Sequence, residues 1–371
     1  MIRIKLLTIN YFKKYKIKLI IALGLLVLYY FLLPKKLFDV PTATVVTSKT
    51  NKLIGAKIAD DGQWRFPEMD SVPQKFKECL LQFEDAHFYQ HFGFNPVSMG
   101  KALAQNVKAK RVVRGGSTLT QQVIRLSRKN TKRTYFEKLK ELVLATRLEF
   151  GYSKEEILKL YASHAPFGGN VVGLEMASWR YFGLPTYQLS WAESATLAVL
   201  PNAPSLIYPG KNQERLKQKR NRLLKKVFQK KIIDSLTYVL AIEEPLPQKP
   251  YDLPFIAPHF VQNVAKTFKG KRIHSSLDYY LQQQVNTIVN QYYRNLKQNE
   301  VHNAAVLVVD VATRKIVSYV GNTATTKQHQ KDVDNVISGR STGSVLKPIL
   351  YAHMLQSGDC LLYTSPSPRD A

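Results

Sequence analysis

Cysteine is nearly absent: Cys79 and Cys360 are the two in 371 residues. That count excludes a disulfide framework, and no cysteine spacing of the metal-binding kind occurs. Internal repeats are missing as well. Acidic residues are scarce, Asp+Glu 27 against Lys+Arg 54, which leaves a formal net charge of +27. An excess of that size points to an anionic partner: nucleic acid, anionic lipid or a phosphorylated substrate. The bland alternative is a basic surface that is merely solvated. Apolar residues are in ordinary supply, and 371 residues at 45% hydrophobic content suffice for two domains with proper cores.

No acidic residue precedes the first long apolar run. Residues 19–33, LIIALGLLVLYYFLL, carry no charge, Ile17 extends the run, and Arg3, Lys5, Lys13, Lys14, Lys16 and Lys18 stand ahead of it. The pattern predicts a basic cytoplasmic tail at 1–16 and one short transmembrane helix over 17–33 with a positive-inside flank. A buried core helix is the alternative. No small-residue cleavage site follows, so the segment reads as an uncleaved signal anchor. A single-pass anchor in the cytoplasmic (inner) membrane would put the rest of the chain on the extracytoplasmic, periplasmic side. That argues against nucleic acid as the partner.

Residues 34–60 read as a juxtamembrane linker with strand-like pieces such as TATVVTS. A mostly helical domain is expected over 61–235. Twelve Lys/Arg lie between Lys108 and Arg147, and ten more between Lys211 and Lys231. Beside an anchor, such basic faces suit lipid headgroups and pyrophosphate. A linker at 236–258 contains the proline-rich stretch EEPLPQKPYDLPFIAP. At 259–358 a helix precedes AAVLVVDVATRKIVSYVGN, two strands about a turn at Ala312–Lys315, the opening of a mixed α/β domain. The last residues, 359–371, break the helical pattern and form a tail of doubtful origin.

The chemistry concentrates at Glu84–Gly93, EDAHFYQHFG. In the preceding PQKFKECLLQFED, Phe76, Cys79, Leu80 and Phe83 fall at i, i+3, i+4 and i+7, the stripe of an amphipathic helix, with Ser71 and Pro73 as its start signal. Glu84 lies one turn beyond Leu80, at the border of that stripe and near the helix C-terminus. Partial desolvation and the negative end of the helix dipole both disfavour its charge and raise its pKa. A glutamate moved that way can serve as a general base near neutral pH. A surface glutamate at a helix end is the commoner situation. Here Asp85, His87, His91 and the rings of Phe88, Tyr89, Phe92 and Phe94 crowd the same turn.

EDxxFxxHxG, matched at Glu84, Asp85, Phe88, His91 and Gly93, resembles the first signature of the peptidoglycan glycosyltransferases (glycosyltransferase family 51) of class A penicillin-binding proteins. Downstream, RGGSTLTQQ, Arg114 to Gln122, pairs glycines with a Ser/Thr helix start. Backbone N–H groups there suit an anionic group; an ordinary turn with a Ser/Thr cap reads equally well from the residues alone. The string resembles the second motif of the same family. The resemblance implies that Ser117, Thr118, Gln121 and Gln122 shape the substrate cleft, with Asp85, His91, Arg125 and Lys138 also meeting substrate. In EKLKE, Lys138 and Glu141 share a helix face. The family pattern RKxxE is matched at both, while Glu137 stands where arginine is expected. Arg125, Arg128 and Lys140 are close enough in sequence to replace that charge. By the same resemblance Glu141 is a second cleft carboxylate near the diphosphate. A divalent cation, magnesium or manganese, bound through Glu141 is left open, and no other cofactor is implied.

KEEILKLYAS is similar to the fourth motif, KxxILxxYxN, with Ser163 for asparagine; Ile157, Leu158 and Tyr161 read as packing. APFGGN, Ala165 to Asn170, resembles the 1C type of penicillin-binding protein. KRNRLL matches the fifth motif, RxxxVL, loosely, with Lys219 and Leu223 at the arginine and valine positions. Lysine is a poorer bidentate phosphate ligand than arginine. Finally, Ser344 and Lys347 in STGSVLKP form an S-x-x-K pair, which resembles the acylation motif of penicillin-binding transpeptidases. The companion S-x-N and K-T-G motifs do not follow it.

The resemblance runs from the apolar segment to about Gly358. It implies a mainly α, lysozyme-like glycosyltransferase domain after one transmembrane helix, then an incomplete α/β penicillin-binding transpeptidase domain. The implied activity is polymerisation of lipid II into glycan strands with release of undecaprenyl pyrophosphate. Lipid II, the growing glycan strand and membrane lipids are the implied partners, and β-lactams only if the transpeptidase is complete. Glu84 and Glu141, and in the second domain Ser344 and Lys347, are the implied catalytic residues. Two other readings stay open. A lysozyme-like lytic enzyme shares a helix-borne glutamate, and a non-catalytic membrane-anchored cell-wall scaffold tolerates the departures at Glu137, Ser163 and Lys219.

Overall fold

A computed structural model describes residues 2–111, 115–129, 134–339 and 341–358, with the backbone alone for 2–14, 17 and 103. Arg114, Arg340, the basic side chains ahead of Tyr15 and the tail 359–371 lie outside the described residues. The chain forms two compact units, residues 1–282 and 283–371.

The first unit is mainly helical. Its helices are α1 (Ile2–Tyr30), α2 (Gln74–Glu84), α3 (Pro96–Ala109), α4 (Leu119–Ser127), α5 (Tyr135–Gly151), α6 (Lys154–His164), α7 (Leu174–Phe182), α8 (Trp191–Val199), α9 (Gln213–Gln229), α10 (Ser235–Glu243) and α11 (Pro258–Thr267). Local chemistry sets many of the starts. Thr118, Thr134 and Asn95 cap α4, α5 and α3 through their side-chain oxygens, and Ser153/Glu156 and Ser190/Glu193 form full capping boxes on α6 and α8. The expected start of α2 differs: Pro73 is its N-cap and no side chain bonds to the first turn, so Ser71 takes no part.

Helix α8 lies at the middle of the core. Ala192, Ser194, Ala195, Thr196, Leu197, Ala198 and Val199 are all buried, and small side chains let α2 and α9 approach it closely. On α2, Phe76, Cys79, Leu80 and Leu81 are buried. Each such large apolar side chain contributes about 1.5–3 kcal/mol, and together they fix the rotation of the helix that ends at Glu84.

Residues expected as a linker are structured. Within 34–60, strand β1 (Thr44–Thr47) pairs antiparallel with β2 (Leu53–Lys57). Three more short strands follow, β3 (Trp64–Arg65), β4 (Pro166–Gly168) and β5 (Val171–Val172), in a sheet of order β3-β5-β4. Strand β6 (Arg272–His274) then runs parallel beside β1, and α11 packs on β1 and β2. The first unit therefore closes on chain from beyond the proline-rich stretch and extends to residue 282.

The expected transmembrane span is not met. Helix α1 stops at Tyr30, so its charge-free part, 19–30, rises only about 18 Å at 1.5 Å per residue, against a hydrocarbon core of about 30 Å. Lys16 and Lys18 occupy the turn before it. No helix among the described residues is long and apolar enough to cross a membrane. The α1 surface is nonetheless apolar and exposed, with Leu19, Ile20, Leu23 and Leu26 all more than 60% accessible.

In the second unit, α12 (Tyr279–Leu296, begun in the first) leads to an antiparallel hairpin of β7 (Val306–Val309) and β8 (Ile316–Val320). Its turn is held by Asp310 accepting from Thr313, with Arg314 left-handed at φ +55. A short 3-10 turn, Gly343–Leu346, runs into α13 (Lys347–Ser357), and every described residue of both is exposed. A complete transpeptidase domain is not present among the described residues.

Candidate active site

Helix α2 delivers Glu84 to the wall of a cavity of about 1120 Å³. Asp85, His91, Ser117, Thr118, Gln122 and Arg125 line the same cavity. Gln122 Nε2 donates to Glu84 Oε2 at 2.7 Å. Burial raises the Glu84 pKa above the ordinary glutamate value, and the neighbouring Asp85 charge adds to it. The Gln122 bond and the charges of Arg125 and Lys219 oppose that rise without cancelling it. Desolvation thus outweighs cationic stabilisation, and the carboxylate is poised as a proton acceptor.

Asp85 and Thr118 are spent on the scaffold. Asp85 Oδ2 accepts from the Leu119 amide at 3.0 Å and lies 2.9 Å from His91 Nε2. The anion at the N-terminus of α4 is therefore the protein's own carboxylate, an arrangement the helix dipole favours. Thr118 Oγ1 donates to the Gly93 carbonyl at 2.7 Å while accepting from the Gln121 amide. The first two sequence motifs are thereby bolted together, and the Glu84–Gln122 contact follows from that register. Gly93 has a reason of its own: φ is +83, and a Cβ there would sit 2.7 Å from the Ala145 backbone.

Lys138, Gln121 and Glu141 form a second cluster behind Ser117. Lys138 Nζ donates to Gln121 Oε1 at 2.6 Å, Ser117 Oγ at 2.8 Å and Glu141 Oε2 at 3.3 Å. Gln121 and Glu141 are buried, so only the Ser117 end of this network reaches the cavity wall. Glu137, where the family has arginine, pairs with Arg128 at 2.6 Å and Lys140 at 3.4 Å, and the Arg128 bond holds its carboxyl below the usual range. Those two cations are engaged by Glu137, and Arg125 is the one that faces the cavity. No group of three or more His, Cys, Asp or Glu among the described residues is placed to hold a metal ion. Glu141 is a single carboxylate already met by an ammonium, so these residues do not by themselves fit a divalent cation.

Several lining residues went unread in the sequence. Lys101, Lys226 and Lys230 add positive charge, and Gln82 and Asn202 add polar groups; Tyr161, read as packing, borders the cavity too. Lys226 donates to the Gln82 carbonyl. The basic run at 211–231 was the signal for Lys226 on α9 and Lys230 at its C-cap; Tyr161 gave none beyond helical spacing. Lys219 Nζ donates to Asn202 Oδ1 at 3.0 Å, and burial lowers its pKa, with Arg215 adding to the effect. Its neighbour Arg220 is fully buried and donates to the Glu244 and Ile242 carbonyls at the end of α10. Ser163 Oγ accepts from the Met69 amide at 3.3 Å. Ser344 and Lys347 belong to the second unit, exposed on the 3-10 turn and the first residue of α13.

A family model described as Transglycosylase matches residues 51–228, the stretch that contains Glu84, the α4 motif and the Lys138–Glu141 cluster. Penicillin-binding protein 1C of Escherichia coli (strain K12) is 35% identical over 327 residues, 88% of this chain and 42% of the relative. Penicillin-binding protein 1B of Vibrio cholerae serotype O1 is 31% identical over 327 residues, 83% of this chain and 42% of its own. Penicillin-binding protein 1A of Aquifex aeolicus is 35% identical over 184 residues, 50% of this chain and 25% of its own. The chain spans less than half the length of these relatives. The chain thus carries a transglycosylase domain with the ED and GGST motifs on one cavity, and over 88% of its length it is similar to a penicillin-binding protein of the 1C type.

Proposed function

We propose that the first unit is a peptidoglycan glycosyltransferase with a lysozyme-like helical fold. It polymerises lipid II into glycan strands and releases undecaprenyl pyrophosphate. The observation that carries this reading is a desolvated glutamate with a raised pKa on the wall of a large cavity that Arg125, Lys101, Lys226 and Lys230 also line. A bare hydrolase has little use for that much positive charge beside its carboxylate.

In this mechanism Glu84 takes the proton from the acceptor sugar 4-hydroxyl. The oxygen attacks the donor anomeric carbon with inversion as the bond to the pyrophosphate oxygen breaks and the electron pair leaves on phosphate. Gln122 holds the base in one rotamer. The cavity cations stabilise charge developing on the leaving group, while Lys138, fixed by Ser117, Gln121 and Glu141, supplies a further positive centre behind the α4 start. Asp85, His91 and Thr118 act as positioning residues.

The exposed apolar face of α1 would attach the enzyme to the extracytoplasmic surface of the cytoplasmic membrane, where its lipid substrate diffuses. Tyr29 donates to Thr146 and Arg147 to the Tyr30 carbonyl, joining that face to α5, whose Phe136, Leu139 and Phe150 are also exposed. Ser344 and Lys347 would be the acylation pair of a transpeptidase, the group a β-lactam modifies.

The test is incubation of detergent-solubilised protein with labelled lipid II and no other enzyme. Polymer with one undecaprenyl pyrophosphate released per glycosidic bond formed is expected. Soluble fragments released from finished peptidoglycan would instead mark a lytic enzyme, and no product in either assay a scaffold.

A further inference from the structure

His164 is a buried titratable group that the mechanism above does not use. It is the last residue of α6, and its side chain is 5% exposed. Nε2 lies 3.0 Å from Glu68 Oε1. That bond first, then the charges of His164, Lys159 and Lys36, holds the Glu68 carboxyl below the ordinary glutamate value against the effect of burial. Glu68 is therefore ionised and can only accept, so Nε2 carries the proton. Nδ1 is buried with no partner among the described residues. Buried polar atoms are bonded in the great majority of cases, and leucine would fill the site without that orphan. The Phe38 ring lies flat on the imidazole, 3.7 Å between centroids at 7°. Carboxylate and ring together fix the imidazole in its plane and across it.

The clamp joins three pieces of chain. Phe38 and its buried neighbour Leu37 belong to the segment that leaves α1. Glu68 belongs to the stretch before α2, which the Met69–Ser163 bond ties to α6 a second time. Directly after His164, Ala165 and Pro166 form part of the cavity wall. We propose that His164 is a positioning residue: clamped by Glu68 and Phe38, it holds the Ala165–Pro166 wall against the chain leaving α1, in the place that fits the cavity to its substrate. This role rests on the glycosyltransferase reading. His164 acts through the wall beside it, so its loss weakens substrate binding more than it slows the chemical step at Glu84.

The test is steady-state polymerisation of lipid II by His164→Leu, which keeps the site filled, and by Glu68→Ala. Glu68→Ala cuts the same bond from a side chain that is 56% exposed, where folding is not at risk. Both should raise KM about tenfold, the worth of one hydrogen bond to a charged group, with kcat little changed. His164→Gln, which can still donate to Glu68, should recover most of the loss. Phe38→Leu added to His164→Leu should cost nothing further, because both dismantle one clamp. In an inactive Glu84→Gln background, His164→Leu should weaken lipid II binding by a similar factor. A lowered thermal midpoint with KM and kcat unchanged would make the clamp a stability element only and overturn the proposal. A fall in kcat at constant KM, or additive losses from Phe38 and His164, would overturn it too, leaving the glycosyltransferase reading intact. If the unaltered chain neither binds nor polymerises lipid II, that reading fails and this role falls with it.

Discussion

Gln122→Leu isolates the one hydrogen bond that opposes the desolvation of Glu84. The side chains are close in volume, and position 122 lies inside α4, where leucine is a good helix former. The bond lost is 2.7 Å long and charge-assisted, a type that contributes about 1.5–3 kcal/mol. Because it stabilises the ionised form more than the protonated one, its loss should tighten proton binding at Glu84 by up to roughly 10- to 150-fold. A base must be deprotonated to work, so the acid limb of the kcat–pH profile should move to higher pH. On that limb the variant should be slower by up to that factor, while at alkaline pH it recovers most of the wild-type rate. The assay is initial polymerisation rate against pH, with folding checked by circular dichroism. An unmoved acid limb, or a loss uniform across pH, would refute the claim that Gln122 acts through the charge on Glu84.

Gly93→Ala should lower stability by about 2–4 kcal/mol, from a left-handed backbone and a Cβ driven into the Ala145 backbone; a thermal midpoint within a degree of wild type would count against it. Arg220→Met removes three donors from a buried site at the end of α10 and should lower unfolding free energy by about 2–4 kcal/mol, read by urea titration. Glu84 holds its proton more tightly folded than unfolded, so its contribution to stability is full at acid pH and lost as pH rises through the raised value. Glu84→Gln should therefore raise the midpoint at neutral pH, with the gain vanishing below the ordinary glutamate pKa; a gain confined to acid pH would reverse the sign of the argument.

The helix before Glu84 was legible because Phe76, Cys79 and Leu80 repeat at helical spacing, and the same stripe foretold the direction in which its carboxyl is shifted. Which donor answers that carboxylate was not legible. It depends on Asp85 meeting the Leu119 amide and on Thr118 meeting the Gly93 carbonyl, contacts between motifs that local pattern does not encode. Tyr161 packs in the core with Ile157 and Leu158 as its spacing suggested, and it also borders the cavity; an aromatic at helical spacing carries the same signal for both. Strand β1 pairs with β6 across more than two hundred residues, which left 34–60 looking like linker. Hydropathy marked the apolar run at 19–33, but not that the helix would end at Tyr30.

The most direct measurement compares the polymerisation rates of wild type and Glu84→Gln on lipid II under identical detergent conditions. A positioned general base contributes about 10²–10⁴-fold, so the account predicts a loss of at least a hundredfold with the fold retained. A folded Glu84→Gln protein that polymerises within tenfold of wild type would contradict it.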